Sequence, residues 1–125
     1  MNPLQEQAFI EKRLNPRFTV HYLTDVYLGE EILFATVVDI SESGVGITLP
    51  GKFYLDEILN LRINCSLIDH EKGELKKVNI YLRASIIWIE KKEKMYHAGL
   101  KIIDIAYEDL IRLRDHIDYL EKSCA

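Results

Sequence analysis

The sequence predicts an all-β fold with a C-terminal helix: a six-stranded antiparallel β-barrel followed by one amphipathic α-helix. Three observations lead to this fold class. Six short segments have the period-two alternation or the Val, Ile and Phe enrichment that is typical of strands. Turn-forming residues separate these segments, and after Tyr107 the apolar spacing changes to three and four. A barrel is expected because closure leaves no exposed strand edge, and the helix can cover an open end.

Turn signals delimit the six predicted strands. We expect them at residues 18–23, 32–40, 45–49, 58–68, 78–90 and 96–103. Gly29 and Glu30 form the first turn, and Pro50 with Gly51 ends the third strand. The polar stretch 69–73 turns the fourth strand into the fifth, which makes a long hairpin, and the charged stretch 91–94 leads to the sixth strand.

The last segment predicts a helix with one apolar stripe. Its apolar residues are Leu110, Leu113, Ile117 and Leu120, and the polar residues expected outside are Glu108, Arg112, Asp115 and Glu121. The stripe packs on the barrel core or forms a dimer seam. Because it covers fewer than three heptads, core packing is the favoured interpretation.

Composition excludes several classes of protein. The 125 residues carry a net charge of −4, so the chain lacks the broad cationic face of a DNA-coating protein. No apolar run approaches the roughly 20 residues that span a bilayer, and the N-terminus lacks the features of a signal peptide, so a cytoplasmic protein without membrane insertion is expected. Cys65 and Cys124 form no C-x-x-C pair and are expected to be free thiols.

Catalytic and metal-binding motifs are absent from the sequence. The four histidines, at positions 21, 70, 97 and 116, show neither i, i+4 spacing nor a nearby cysteine, so no metal site is predicted. Ser41 is not in a G-x-S-x-G nucleophile motif, and there is no P-loop. We therefore predict a protein that is not an enzyme and has no catalytic residues.

Two polar clusters carry the chemistry of binding. The first is the basic cluster, residues 12–17, and the second is the polar turn, residues 39–44. Arginine suits a phosphate because its planar fork donates two parallel hydrogen bonds and its face stacks on aromatic rings. Asp39 offers acceptors to the N–H edge of a guanine, Ser41 offers a hydroxyl, and Gly44 permits a positive φ or close ligand approach.

Each cluster also has a plain structural interpretation. An R-x-x-x-R segment can be solvated, and a D-x-S-x-x-G segment can be a side-chain-bonded turn with its glycine in the left-handed conformation. From average residue usage, both patterns in this order occur by chance in on the order of 1% of chains of this length. The pairing therefore favours a binding site.

Arg13-x-x-x-Arg17 followed by Asp39-x-Ser41-x-x-Gly44 resembles the paired motif of PilZ domains, which bind cyclic di-GMP. The resemblance extends to the 86–88 strand, the 96–102 stretch and the closing helix, and it implies the same six-stranded barrel. By this resemblance Arg13 and Arg17 hold phosphates and stack on guanine, Asp39 and Ser41 bond guanine edges, and Gly44 shapes the turn.

Two further residues remain open between two interpretations. Lys12 precedes the first arginine and either favours a second, intercalated dinucleotide or is a solvated lysine. Trp88 either flanks the guanines or belongs to the core, and the core is the more common place for a lone tryptophan in an apolar strand.

The resulting hypothesis is a receptor without a cofactor whose ligand is cyclic di-GMP. Residues 1–17 are expected to form a mobile segment that carries the basic motif and becomes ordered on binding, while residues 18–125 form the barrel and helix. The signal would pass to a protein partner in motility, secretion or polysaccharide synthesis. The alternative is an adaptor with the same fold that does not bind nucleotide.

Overall fold

The computed structural model of the chain describes residues 16–51, 53–69 and 71–123. These residues form a closed antiparallel barrel and one helix. The elements are β1 (Phe18–Leu28), β2 (Glu31–Ile40), β3 (Gly44–Leu49), β4 (Ile58–Asp69), β5 (Glu74–Lys92), β6 (Met95–Asp104) and α1 (Tyr107–Ser123). The strand order is β1-β2-β3-β6-β5-β4, and β4 pairs back with β1 to close the ring. The predicted fold class is confirmed.

The strands are longer than their sequence patterns indicate. β5 contains 19 residues, and Lys91 and Lys92 still pair with β6 although they were expected in the turn. Both lysines are exposed, so the ladder continues without burying charge. In a barrel each strand has a hydrogen-bonding partner on both sides, and this pairing extends strands beyond their apolar pattern. The description of the strands as short was therefore wrong.

Alternation places one face of every strand in a single core. β4 contributes Leu59, Leu61, Ile63 and Cys65, all essentially inaccessible to solvent. Cys65 is a free thiol, as predicted, and its burial raises the pKa of that thiol to about 12. Cys124 lies outside the described residues.

Helix α1 covers one end of the barrel. Leu113 and Ile117 belong to the core cluster, so the apolar stripe packs inward and does not form a dimer seam. Three polar contacts fix the helix to three parts of the barrel. The Tyr81 amide in β5 donates to Asp109 at 3.1 Å, Arg114 pairs with Glu42 of the β2–β3 turn at 2.5 Å, and the Tyr22 hydroxyl in β1 lies 2.7 Å from Nε2 of His116. Among the described residues, no helix is long and apolar enough to cross a membrane.

His116 is a buried polar residue that the helical pattern did not single out. It is only 2% exposed and contacts the rings of Tyr22 and Tyr119. Burial lowers the pKa of His116 from its ordinary value of 6.5 because the charged imidazolium loses its hydration. The folded barrel therefore holds this imidazole in its neutral form near pH 7.

We predict that His116 makes stability depend on pH below about 6.5. The unfolded chain binds a proton at His116 more readily than the folded chain, so the free energy of unfolding falls as the pH drops from 6.5 to 5.5. Urea denaturation of His116→Gln should show a smaller pH dependence in this window. Equal dependence in the variant and the wild type would contradict the assignment.

Candidate functional site

Five of the seven residues predicted to bind the ligand lie in the described part of the chain. Arg17 precedes β1, Asp39 lies near the end of β2, Ser41 and Gly44 bracket the β2–β3 turn, and Trp88 lies in β5. Lys12 and Arg13 lie outside the described residues. The structure joins Arg17, Asp39 and the turn at one place, and it connects Trp88 to them through two intervening strands.

Arg17 and Asp39 form an ion pair on the barrel surface. Nη1 of Arg17 donates to Oδ1 of Asp39 at 2.9 Å, and the two side chains are 51% and 31% exposed. Exposed ion pairs of this kind contribute about 0.2–1 kcal/mol, since solvent screens the charges. An anion that recruits Arg17 therefore meets little resistance from Asp39, and the freed carboxylate can accept other donors.

Ser41 holds the turn together from within. Its side chain is buried, and its hydroxyl donates to the Gly44 carbonyl and accepts from the amides of Ser43 and Gly44 at 3.1–3.3 Å. This is the side-chain-bonded turn that the sequence allowed. A direct contact between Ser41 and guanine remains a prediction.

Gly44 is required for a different reason than the one expected. Close ligand approach at Gly44 remains a prediction, and the other alternative, a positive φ, is wrong because the φ of Gly44 is not in the left-handed region. Instead, a Cβ atom at this position would lie 2.5 Å from the carbonyl oxygen of Leu100 in β6. Gly44 therefore lets β3 approach β6 closely where the turn ends.

A β-bulge turns Asp39 toward solvent. In β2, Val37 pairs with Ile47 and Asp39 pairs with the next residue of β3, Gly46, so Val38 is an extra residue. Val37 and Ile40 are both fully buried. Strict alternation from Val37 would direct Asp39 into the core, and the extra residue reverses its direction.

A second bulge does the same for Trp88. In β5, Ile86 pairs with Leu100 while Trp88 pairs with Gly99, which leaves Ile87 as the extra residue. Ile86 is buried, whereas Trp88 is 45% exposed. The interpretation of Trp88 as a core residue is therefore wrong. Strict alternation from Ile86 would direct Trp88 into the core, and the extra residue reverses its direction.

Two glycines lie between Asp39 and Trp88 in the cross-strand register. The register pairs Asp39 with Gly46, Gly46 with Gly99, and Gly99 with Trp88, which makes one row across β2, β3, β6 and β5. We call these four residues the glycine row. A Cβ atom at Gly46 would overlap the Asp39 carboxylate, and one at Gly99 would overlap the pyrrole part of the Trp88 indole. Both glycines are therefore buried, and the Asp39 carboxylate and the Trp88 indole lie directly over them.

Sequence reasoning missed three residues of this surface. Gly46 and Gly99 have the signal of isolated glycines inside strand patterns, which marks close approach of other groups. Lys101 pairs with Gly44 and lies two residues after Gly99, so it shares the outward face of β6. It adds an exposed cation beside the row.

The combined groups fit a planar, anionic ligand. Arg17 and Lys101 supply positive charge, Asp39 supplies acceptors, and the Trp88 indole offers an aromatic surface for stacking. Within the described residues, no group of three or more His, Cys, Asp or Glu side chains is placed to hold a metal ion.

Comparison with known proteins identifies the family and the fold. The model of the PilZ domain family matches residues 11–119. The structure is similar to Bacillus subtilis inhibitor of motility (MotI/DgrA), with a TM-score of 0.67, 20% identity, and coverage of 82% of this chain and 47% of that chain. It is also similar to Escherichia coli YcgR in complex with c-di-GMP, with a TM-score of 0.67, 16% identity, and coverage of 88% and 46%.

The PilZ domain of E. coli YcgR with c-di-GMP gives a TM-score of 0.66 at 15% identity, and the match covers 88% of this chain and 92% of that domain. The chain thus spans about half the length of MotI and of full YcgR. A comparison with curated protein sequences gives no match. Since the family model covers nearly the whole sequence and the barrel has the matching fold, this chain belongs to the PilZ domain family.

Proposed function

We propose that this protein is a cyclic di-GMP receptor that binds its ligand on the glycine row. The observation that carries the proposal is the row on the outer face of the barrel that runs from the Arg17–Asp39 pair to Trp88. Gly46 and Gly99 lie in this row beneath the side chains of Asp39 and Trp88. Two solved PilZ structures of similar fold contain c-di-GMP, which supports this choice of ligand.

Each group of the surface matches one part of this dinucleotide. The N1–H and exocyclic amino group of a guanine are donors, and the two oxygens of Asp39 accept them once Arg17 has turned to a phosphate. The Arg17 fork then bonds the phosphate oxygens. The Trp88 indole provides a stacking surface for a purine. The missing Cβ atoms at Gly46 and Gly99 let the Asp39 carboxylate and the Trp88 indole lie directly against the strands.

In this proposal the protein acts as a cytoplasmic, non-enzymatic switch. A motility, secretion or polysaccharide-synthesis protein would receive the signal by direct contact. The Glu42–Arg114 ion pair supports a route for such a signal, because it connects the proposed binding turn to α1. A shift of the turn on binding would therefore act on the position of the helix.

The basic cluster completes the proposal. Ordering the basic cluster, residues 12–17, costs roughly 1–2 kcal/mol per residue, and charge-assisted hydrogen bonds to phosphate return roughly 1.5–3 kcal/mol each. Several bonds from Lys12, Arg13 and Arg17 can offset the ordering of a short segment. A second dinucleotide at Lys12 remains part of the hypothesis for this segment.

Calorimetric titration with cyclic di-GMP tests the site. We expect Arg17→Ala to weaken binding at least tenfold, or about 1.4 kcal/mol, because a bidentate phosphate contact is lost. Arg17→Lys should fall between, since it keeps the charge and loses the fork. Asp39→Ala should lose guanine recognition.

Lys92→Ala is the matched control, because it removes one exposed positive charge at the C-terminal end of β5, outside the glycine row. Its affinity should equal that of the wild type. Equal losses in Lys92→Ala and Arg17→Ala would indicate nonspecific electrostatics. If the wild type shows no saturable binding, the adaptor alternative replaces the receptor.

Hydrogen exchange tests the N-terminal segment. Amides in residues 1–17 should exchange fast without ligand and slowly at saturation, while the core strands stay protected in both states. The reason is that ligand phosphates supply the contacts that order this segment. High protection that does not change on saturation would contradict the ordering step and indicate a preformed site.

A further inference from the structure

A cavity of about 480 Å³ lies between the first part of β5 and helix α1. Its polar lining consists of Lys76, Lys77, Asn79, Arg112, Asp115 and His116. Lys77 and Trp88 are eleven residues apart on β5, which is roughly 30–35 Å along the strand. The cavity is therefore separate from the glycine row.

The charge of this cavity is opposite to that of the whole chain. Three cationic side chains and one carboxylate line it, whereas the net charge of the protein is −4. In the described part of the chain, neither Lys76 nor Lys77 has an ion-pair partner. Arg112 bonds Asp109 through Nη1 at 3.3 Å and has further N–H donors available. The charge of the two lysines, together with the free donors of Arg112, attracts an anion.

His116 adds a buried ring nitrogen that lacks a hydrogen-bond partner among the described residues. Its Nε2 is bonded to the Tyr22 hydroxyl, but its Nδ1 has no hydrogen-bond partner among the described residues. A buried polar atom without a partner is costly, and such groups often indicate an unoccupied binding position. The imidazole is neutral near pH 7, so Tyr22 can donate to Nε2 and leave an N–H at Nδ1. This nitrogen is inaccessible to solvent, so an anionic oxygen reaches it only if α1 moves.

A second cavity of about 430 Å³ adjoins the first. Lys77 and Asn79 line both cavities, and the second is also lined by His21, Tyr22 and Asn64. The hydrogen-bonded pair of Tyr22 and His116 contributes one residue to each cavity. Because they share Lys77 and Asn79, we call the two neighbouring cavities together the groove; the first is mainly cationic, and amide and aromatic residues line the second.

We propose that this groove binds a phosphate-bearing small molecule. Lys76, Lys77 and Arg112 hold the phosphate, and a displacement of α1 lets a phosphate oxygen accept the hydrogen bond of His116. The organic part of the ligand extends along Asn79 into the second cavity. The site is independent of the cyclic di-GMP surface, and its occupancy would act on α1 through Arg112 and His116.

The test is calorimetric titration of the full chain with two probes, inorganic pyrophosphate and adenosine 5′-monophosphate. We expect saturable binding that falls at least tenfold in Lys76→Ala/Lys77→Ala. The control, Lys92→Ala/Lys94→Ala, makes the same change in net charge at the other end of β5 and should bind as the wild type does. Thermal melting of both variants verifies that they fold.

The remaining outcomes are equally decisive. Tighter binding of the nucleotide than of pyrophosphate supports an organic phosphate that fills both cavities, and equal binding supports an inorganic anion as the ligand. No saturable binding of either probe, or equal losses in the two double variants, overturns the site. Cyclic di-GMP titrations of Lys76→Ala/Lys77→Ala should match the wild type, so failure of this site is distinguishable from failure of the proposed receptor function.

Discussion

Two β-bulges determine which side chains the barrel presents to a ligand. Each bulge directly follows a buried residue of its strand, Val37 or Ile86, and each turns one polar or aromatic side chain outward. The register then aligns Asp39 and Trp88 through Gly46 and Gly99. Without the extra residue in β2 a carboxylate would enter an apolar core, where a charge is strongly disfavoured. The bulges thus keep the carboxylate out of the core and create the proposed binding surface.

The β2–β3 turn contains both rigid and adaptable parts. The Ser41 hydroxyl makes its hydrogen bonds inside the turn, and Gly44 lets β3 lie close against β6. Asp39, in contrast, is held by an exposed ion pair that solvent weakens. This combination keeps the backbone fixed while the carboxylate can exchange partners. Glu42, in the same turn, connects it to Arg114 of α1.

Much of the fold could be predicted because period-two and helical patterns report directly which residues are buried. The direction of Trp88, which the sequence left open, depends on one extra residue in β5 that leaves no compositional signal. The burial of Asp109 and His116 was missed, since it depends on contacts with Tyr81 and Tyr22 that are distant in sequence. The candidate site was found by motif, whereas its glycine row became visible only through cross-strand register.

The most direct test of the account uses the single tryptophan of the chain. The indole N–H resonance of Trp88 in a ¹⁵N-edited NMR spectrum needs no assignment, because no other indole is present. Titration with cyclic di-GMP should shift this resonance, and the shift should saturate at the affinity measured by calorimetry. Saturable binding in the calorimeter with an unchanged Trp88 resonance would contradict a ligand that lies on the glycine row.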